Sequence, residues 1–380
     1  MEILTYTDEQ RAFRERLQAF MDSEAAPFAD QWERDKIVPR EVWTKMGRGG
    51  FLCTGAPREY GGMGGDFRYS VIVIEEMLRA RCNGLIAPLH SDIIVPYIEA
   101  FGSEEQKKKY IPGCVNGDLV TAIAMTEPDA GSDLAGMTTT AVEMGGHVVI
   151  NGSKTFISNG INADLVIVAA RDPSVESAHQ AISLYLVEAG RSGFARGKQL
   201  DKMGLHAQDT SELFFNDCRV PLENRLGEKG MGFLMLMQKL QQERLVTALM
   251  AQAAARYIVE TTRTFLKETV VSGKPLSRSQ ATQFALVEMT TELRLGQTFL
   301  DKLVAEHMEG REVIVETSMA KYWVTDMVWR TANRCLEMYR DGGLMESCPI
   351  VRALRDVRVM SIFAGTNEIM KGIAAKFMGL

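Results

Sequence analysis

The apolar residues of this chain change their spacing twice, and that change limits the folds open to it. Up to about residue 119 they recur at helical intervals, as in TDEQRAFRERLQAFM, where Thr7 with Gln10 reads as a capping box. From about 120 to 226 they fall into short β-branched runs: LVTAIAMTE, TTTAVEM, HVVING, ADLVIVAA and AISLYLVE. After residue 228 the helical period returns. A long helix starts at MGFLMLM and runs to about residue 270, followed by SQATQFALVEMTTELRL and SMAKYWVTDMVWRTANRCLEMY. The methionines of the first stretch read as core filler. The reading is an α+β chain, mostly α. Residues 1–119 form a helical domain, 120–226 a small and mainly antiparallel β-barrel or sandwich, and 227–380 a four-helix bundle. Its 380 residues exceed what one simple core takes, which agrees with several packed units.

Local signals sharpen this. Gly145-Gly146 between two β runs reads as a hairpin turn, and Pro221 stops the last strand, LFFNDCRVP. EYGGMGGDF (59–67) is glycine-rich but follows no strand and precedes no helix-opening lysine. It therefore reads as a turn between helices rather than a phosphate loop.

Composition narrows the partners. Hydrophobic residues are 46% and charged residues 24%, as in ordinary globular domains. A net charge of −6 argues against nucleic acid or an anionic membrane as main partner. No run approaches the roughly 20 apolar residues of a membrane helix. MEILTYTDEQ has no targeting leader, so a cytoplasmic location is expected. The six cysteines form no CxxC and read as free buried thiols. The five histidines are isolated, so no metal is expected.

Three stretches carry chemistry. In AMTEPDAGSDLAG (124–136) a strand ends at Thr126. Small and hydroxyl residues then expose backbone N–H groups able to cradle a polar ring edge or a phosphate. NGSKTFISNG (151–160) sets the aromatic Phe156 beside the hydroxyl of Ser158; by spacing alone, two ordinary β-turns explain these stretches equally well. SIFAGTNEIM (361–370) places Ala364 and Gly365 where small side chains let something approach the backbone.

Together these stretches resemble the acyl-CoA dehydrogenase family. The pattern is T-E-P-x-A-G-S-D, then N-G-x-K-x-[FW]-I-[ST]-N-G, then DKMGLHAQDT (201–210), then AGTNE, in family order along nearly the whole chain. The resemblance implies FAD between the β domain and the C-terminal bundle. Ile123 to Ser132, including Met125 and Gly131, would touch flavin and pyrophosphate. Thr126 would face the flavin's polar edge, and Ser132 would lie near the phosphates and the pantetheine arm. Phe156 and Ile157 would lie along the flavin, with the Ser158 hydroxyl reaching N5.

Such chemistry takes an α-proton from a thioester, sends a β-hydride to the flavin and steadies an enolate oxygen. Many family members carry the base glutamate just before Gly-Thr, where this chain has Ala364. A subset resembling long-chain and isovaleryl-CoA dehydrogenases takes it from the long helix instead, so the resemblance assigns the base to Glu243 of QQERL. Without that resemblance Glu243 reads as an exposed helix glutamate. Ala364 would still give its N–H to the thioester oxygen, with Gly365 beside it. Gln241, Gln242 and Arg244 would line the CoA side, and Thr366, Asn367 and Glu368 would approach the flavin.

Two family segments for the ADP half of FAD are altered. Thr269 and Ser272 replace the usual Arg and Phe, although Gly273, Lys274 and Gln280 remain; Glu337, Arg340 and Asp341 fall where Gln and two glycines are usual. Arg340 is suited to pyrophosphate in place of the missing arginine, or is a solvated helix-end charge. The implied partners are an acyl thioester of CoA or acyl carrier protein, an electron-transferring flavoprotein, and further copies in a homotetramer. An acyl-CoA oxidase or flavin monooxygenase on the same fold, or a partly degenerate subunit of a hetero-oligomer, stay open as alternatives.

Overall fold

The computed structural model describes residues 3–380. The helical N-terminal part contains α1 (Asp8–Phe20), α2 (Ala29–Asp35), α3 (Arg40–Arg48), α4 (Phe67–Arg79), α5 (Val95–Phe101) and α6 (Glu104–Val115). The capping box at α1 forms: Thr7 accepts from the Gln10 N–H while the Gln10 side chain accepts from the Thr7 N–H. Ser103 and Gln106 open α6 in the same way. The glycine-rich stretch at 59–67 is the bend before α4, capped by Asp66.

Eight strands follow: β1 (Thr121–Ala124), β2 (Thr140–Met144), β3 (His147–Ser158), β4 (Leu165–Arg171), β5 (Ile182–Glu188), β6 (Phe194–Gln199), β7 (Thr210–Pro221) and β8 (Arg225–Leu226). They form one hydrogen-bonded network in the order β6-β7-β3-β2-β4-β5-β8, with β1 alongside β4. Pairing is mainly antiparallel; β1 runs parallel to β4, with Thr121 opposite Leu165. Gly145 and Gly146 turn β2 into β3 with φ of 54° and 89°, which glycine adopts without strain. β6 is polar and largely exposed, and its sequence FARGKQ carries no apolar alternation to announce it.

The C-terminal part is helical again: α7 (Gly232–Glu268), α8 (Gln280–Met308), α9 (Ile314–Met338), α10 (Pro349–Val357) and α11 (Asn367–Phe377). α9 buries a stripe that includes Thr317, Lys321, Val324, Thr325, Val328 and Thr331 against its neighbours. One buried cluster runs from the N-terminal helices into this bundle and a second fills the sheet's interior. The two helical parts thus share a core, with the sheet on its flank. All six cysteines are buried and free. Among the described residues no helix is long and apolar enough to cross a membrane.

The DKMGLHAQDT segment is where the three parts meet. The Leu205 N–H donates to Asp356 of α10 at 2.6 Å, the Ala207 N–H to Glu33 of α2 at 3.0 Å, and Asn83 donates to the other Asp356 oxygen at 3.0 Å. A Cβ on Gly204 would come within 2.4 Å of the Arg355 backbone, so glycine is needed for this approach.

Candidate active site

The loop after β1 is held from inside. Lys154 on β3 is fully buried and donates to Glu127 at 2.8 Å and to the Met125 carbonyl at 3.1 Å. Glu127 also accepts the Thr138 N–H at 2.6 Å, the Thr138 hydroxyl at 2.7 Å and the Thr139 N–H at 2.9 Å. Burial opposes ionisation of Glu127, yet the Lys154 cation and these donors bring it down to about 2. One ion pair thus closes the 127–139 loop onto the sheet, leaving Gly131, Ser132 and Asp133 exposed at its rim.

Beside this loop β3 breaks register. Its pairing with β7 shifts between Lys154 and Ile157, and Phe156 takes a φ of 56°. A left-handed bulky residue is an outlier, and a bulge is the usual way to re-aim a side chain. The Thr155 N–H donates to the Thr126 carbonyl at 2.9 Å, which fixes the bulge against the end of β1. Phe156 is 67% exposed, a large apolar ring facing outward among the half-buried Met125, Thr126 and Ser158. Ile157 is buried in the sheet core, so only its backbone faces this surface; Ile123 is half-buried against the helical core.

A second group of the expected site residues lies on α7 and in the 364–367 bend. Glu243 has its Oε2 buried with no hydrogen-bond partner. Burial pushes this carboxyl up to about 7, against the pull of the nearby Arg244 and Lys321 cations. Arg244 is buried too, and its Nε has no partner. Gln242 donates to the Asp92 carbonyl at 2.6 Å, tying α7 to the segment before α5. In the bend, Ala364 and Gly365 have φ of 55° and 85°. Thr366 caps α11 by accepting the Ile369 N–H at 3.2 Å, and Glu368 is exposed.

Two of the expected contact residues are already occupied within the protein. Both oxygen lone pairs and both N–H groups of the Asn367 amide are taken: Lys321 and Thr325 donate to its Oδ1, and its Nδ2 donates to the Tyr322 carbonyl and to Asp326. Only the Asn367 backbone remains for a ligand. The Gln241 amide accepts the Val313 N–H at 2.8 Å and donates to the Arg311 carbonyl at 3.2 Å, so it braces the α8–α9 connection rather than lining an open surface. Gln280 is the exposed first residue of α8. Arg340 is exposed just past α9 with φ of 53°, and its side chain makes no hydrogen bond or ion pair among the described residues.

Sequence reasoning passed over Lys321, Glu127 and Lys154. Each carried a signal: a charged residue in an apolar stripe or strand interior is buried only if something demands it.

The family's sequence models match in three consecutive blocks: the acyl-CoA dehydrogenase N-terminal domain over residues 7–118, the middle domain over 122–218 and the C-terminal domain over 230–379. This chain belongs to the acyl-CoA dehydrogenase family of oxidoreductases. It is 42% identical to the long-chain specific acyl-CoA dehydrogenase, mitochondrial, of Sus scrofa, over 98% of this chain and 86% of that protein. Its structure overlays a crystal structure of an acyl-CoA dehydrogenase from Geobacillus kaustophilus with a TM-score of 0.97 and 48% identity, covering 99% of both chains. The FAD complex of PigA is also similar, with a TM-score of 0.94, 27% identity and 100% coverage of both chains.

Proposed function

We propose that this chain is an FAD-dependent acyl-CoA dehydrogenase in which Glu243 takes the α-proton of a fatty or branched acyl thioester, giving the trans-2-enoyl thioester. The observation that carries this reading is the half-buried Glu243 on α7, whose Oε2 is buried with no hydrogen-bond partner and whose carboxyl is raised to about 7, while the bend holds only Ala364. A base works best with its pKa near the operating pH, whereas a hydrated helix glutamate stays near its ordinary value.

The β-domain surface fits a flavin. The bulge presents an uncovered aromatic ring at Phe156, next to the hydroxyls of Thr126 and Ser158. A Cβ at Gly131 would meet nothing nearer than Thr126 Cγ2 at 4.0 Å, so the loop is open on that side. A planar ring with a polar rim suits such a wall. Ile123, Met125, Thr126, Gly131, Ser132, Phe156, Ile157 and Ser158 would hold it, with Thr366, Glu368 and the Asn367 backbone from the bend. When bound, FAD supplies the acceptor for the β-hydride through N5.

The chain's own groups do the rest. The Ala364 N–H donates to the thioester oxygen as it gains enolate charge. The methyl side chain leaves the space a bulkier residue would fill. Gln242 and Arg244 flank the CoA side. Electrons leave to an electron-transferring flavoprotein, and the assembly is a homotetramer.

A second reading, a partly degenerate subunit of a hetero-oligomer, is favoured by the exposed and unpartnered Arg340 in a segment expected to serve FAD. The visible spectrum of the protein purified alone, followed by anaerobic addition of straight and branched acyl-CoAs, separates the two. A yellow protein that some acyl-CoA bleaches is the expected result. A colourless protein supports the degenerate subunit, and a yellow protein bleached by no acyl-CoA removes the dehydrogenase reading.

A further inference from the structure

A buried amine stands behind the 364–367 bend. Lys321 is 0% exposed, in the buried stripe of α9. Its Nζ donates to the Gly365 carbonyl at 2.6 Å and to Asn367 Oδ1 at 3.1 Å. Among the described residues it forms no ion pair within 4.0 Å, so no carboxylate compensates its burial directly. A cation without such a partner is a poor way to stabilise a bundle, because its desolvation goes unanswered.

What the amine does hold is a strained backbone. Ala364 is left-handed at φ 55°, a conformation unfavourable for a non-glycine residue that persists where its surroundings fix it. Lys321 fixes the residue on one side of it. The amide of Asn367, which anchors the other end of the bend, takes one bond from Lys321 and one from Thr325. The same amine acts on Glu243 through its charge alone, with no hydrogen bond or ion pair between them. The charged groups around it are Asp326 on its own helix, Arg244 and Glu243 on α7, and Glu368 on α11. Glu243 in turn feels the charges of Arg244 and Lys321 and acts by its own charge on the buried Tyr97 of α5. Burial lowers Lys321 to about 8, so it remains mostly protonated at neutral pH.

We infer that Lys321 is a positioning residue for the dehydrogenation: it aims the Ala364 N–H by holding Gly365 and Asn367, and it supplies part of the positive field that Glu243 sees. The inference rests on Glu243 being the base. Removing the cation withdraws stabilisation from ionised Glu243, so the carboxyl then holds its proton to higher pH.

Lys321→Met keeps the length and loses both charge and donors. Lys321→Gln keeps donors without charge. The carboxyl stretch of Glu243, identified by its absence from Glu243→Gln, is titrated by difference infrared spectroscopy in the flavin-loaded resting protein. Turnover is followed alongside. In both variants the Glu243 titration should move up. In Lys321→Met, kcat should also fall about tenfold or more with KM changed much less, because the misaimed N–H acts on the developing charge. Unchanged kcat in folded Lys321→Met overturns the inference, and an unmoved titration in both folded variants strikes the field on Glu243 from it. The failure of both variants to fold also overturns the inference, since that assigns the lysine to the bundle core. Should Glu243→Gln itself keep full activity, it is the base assignment that fails, whatever Lys321 does.

Discussion

Glu243 and Ala364 make one statement between them: the bend is left small and the carboxyl is carried by α7. Glu243→Gln is expected to fold and retain flavin while turnover falls about 10²–10⁴-fold, the usual worth of a general base. Near wild-type bleaching of the flavin by substrate would remove Glu243 from that role. The pH profile gives an independent check. The base works deprotonated, so kcat/KM should rise with pH through about 7, where burial has placed this carboxyl. A profile flat from about pH 5.5 to about pH 8.5 would contradict it. Combining Ala364→Glu with Glu243→Gln is expected to restore part of the activity from the vacated position, read by the same bleaching. At this scale the sequence showed the motif residues but not their obligations. The letters Asn367 and Gln241 cannot reveal that their amides are already bonded to α9 and to the α8–α9 connection, because those partners lie 41 to 72 residues away.

Elements were legible where their period is strong. The α1 capping box, the Gly145-Gly146 hairpin and the long helices α7 to α9 each follow from short-range spacing. β6 escaped because an exposed polar strand shows no alternation, and the β3 bulge because φ at Phe156 is set by pairing with β7 rather than by its own sequence. The 127–139 loop belongs to this scale as well. Its shape depends on the fully buried Lys154 and the nearly buried Glu127, at 0% and 2% side-chain exposure. Lys154→Met leaves a buried carboxylate unpaired, which costs about 3–5 kcal/mol. Faster hydrogen exchange across 127–139 and loss of flavin are the expected readouts. Adding Glu127→Gln removes the stranded charge and should recover most of the protection; equal damage in single and double variants would show that charge is not what the loop needs. The sign of the acid response follows from the same pair. Glu127 is held down to about 2, so its contribution is present above the ordinary glutamate range and fades as pH falls through that value.

The outside of the whole molecule carries features that the single chain does not use. α8 shows Phe284, Val287 and Leu295 at 58%, 64% and 60% exposure, spaced to lie along one face. The hairpin before α8 adds Val270 and Val271 at 60% and 38%. Beyond them lies an apolar groove of about 540 Å³ between α8, α9 and α11, lined by Phe299, Trp323 and Met378 among others. Isolated monomers rarely leave such surfaces bare, which supports the homotetramer proposed above. Light scattering should give four chains per particle. Val287→Asp, placing a charge on that face, should yield smaller species; a wild-type monomer that holds flavin would contradict the assembly. Gln280 opens α8 at the start of this surface, and Arg340 stands past α9 with its guanidinium unpartnered among the described residues. The family resemblance implies that the ADP half of FAD would be reached from a neighbouring subunit, and an arginine fork suits pyrophosphate by its paired donors and fixed charge. A solvated helix-end charge is the other role open to Arg340, and it predicts no effect on the cofactor. If the arginine instead replaces the one missing at Thr269, Arg340→Ala should leave the tetramer intact and weaken FAD retention by about 1.5–3 kcal/mol, the worth of a hydrogen bond to a charged group. FAD per chain is measured after gel filtration, with mass read from the same peak. Flavin lost from an intact tetramer is the expected result. Full flavin content in that peak would return Arg340 to the solvent.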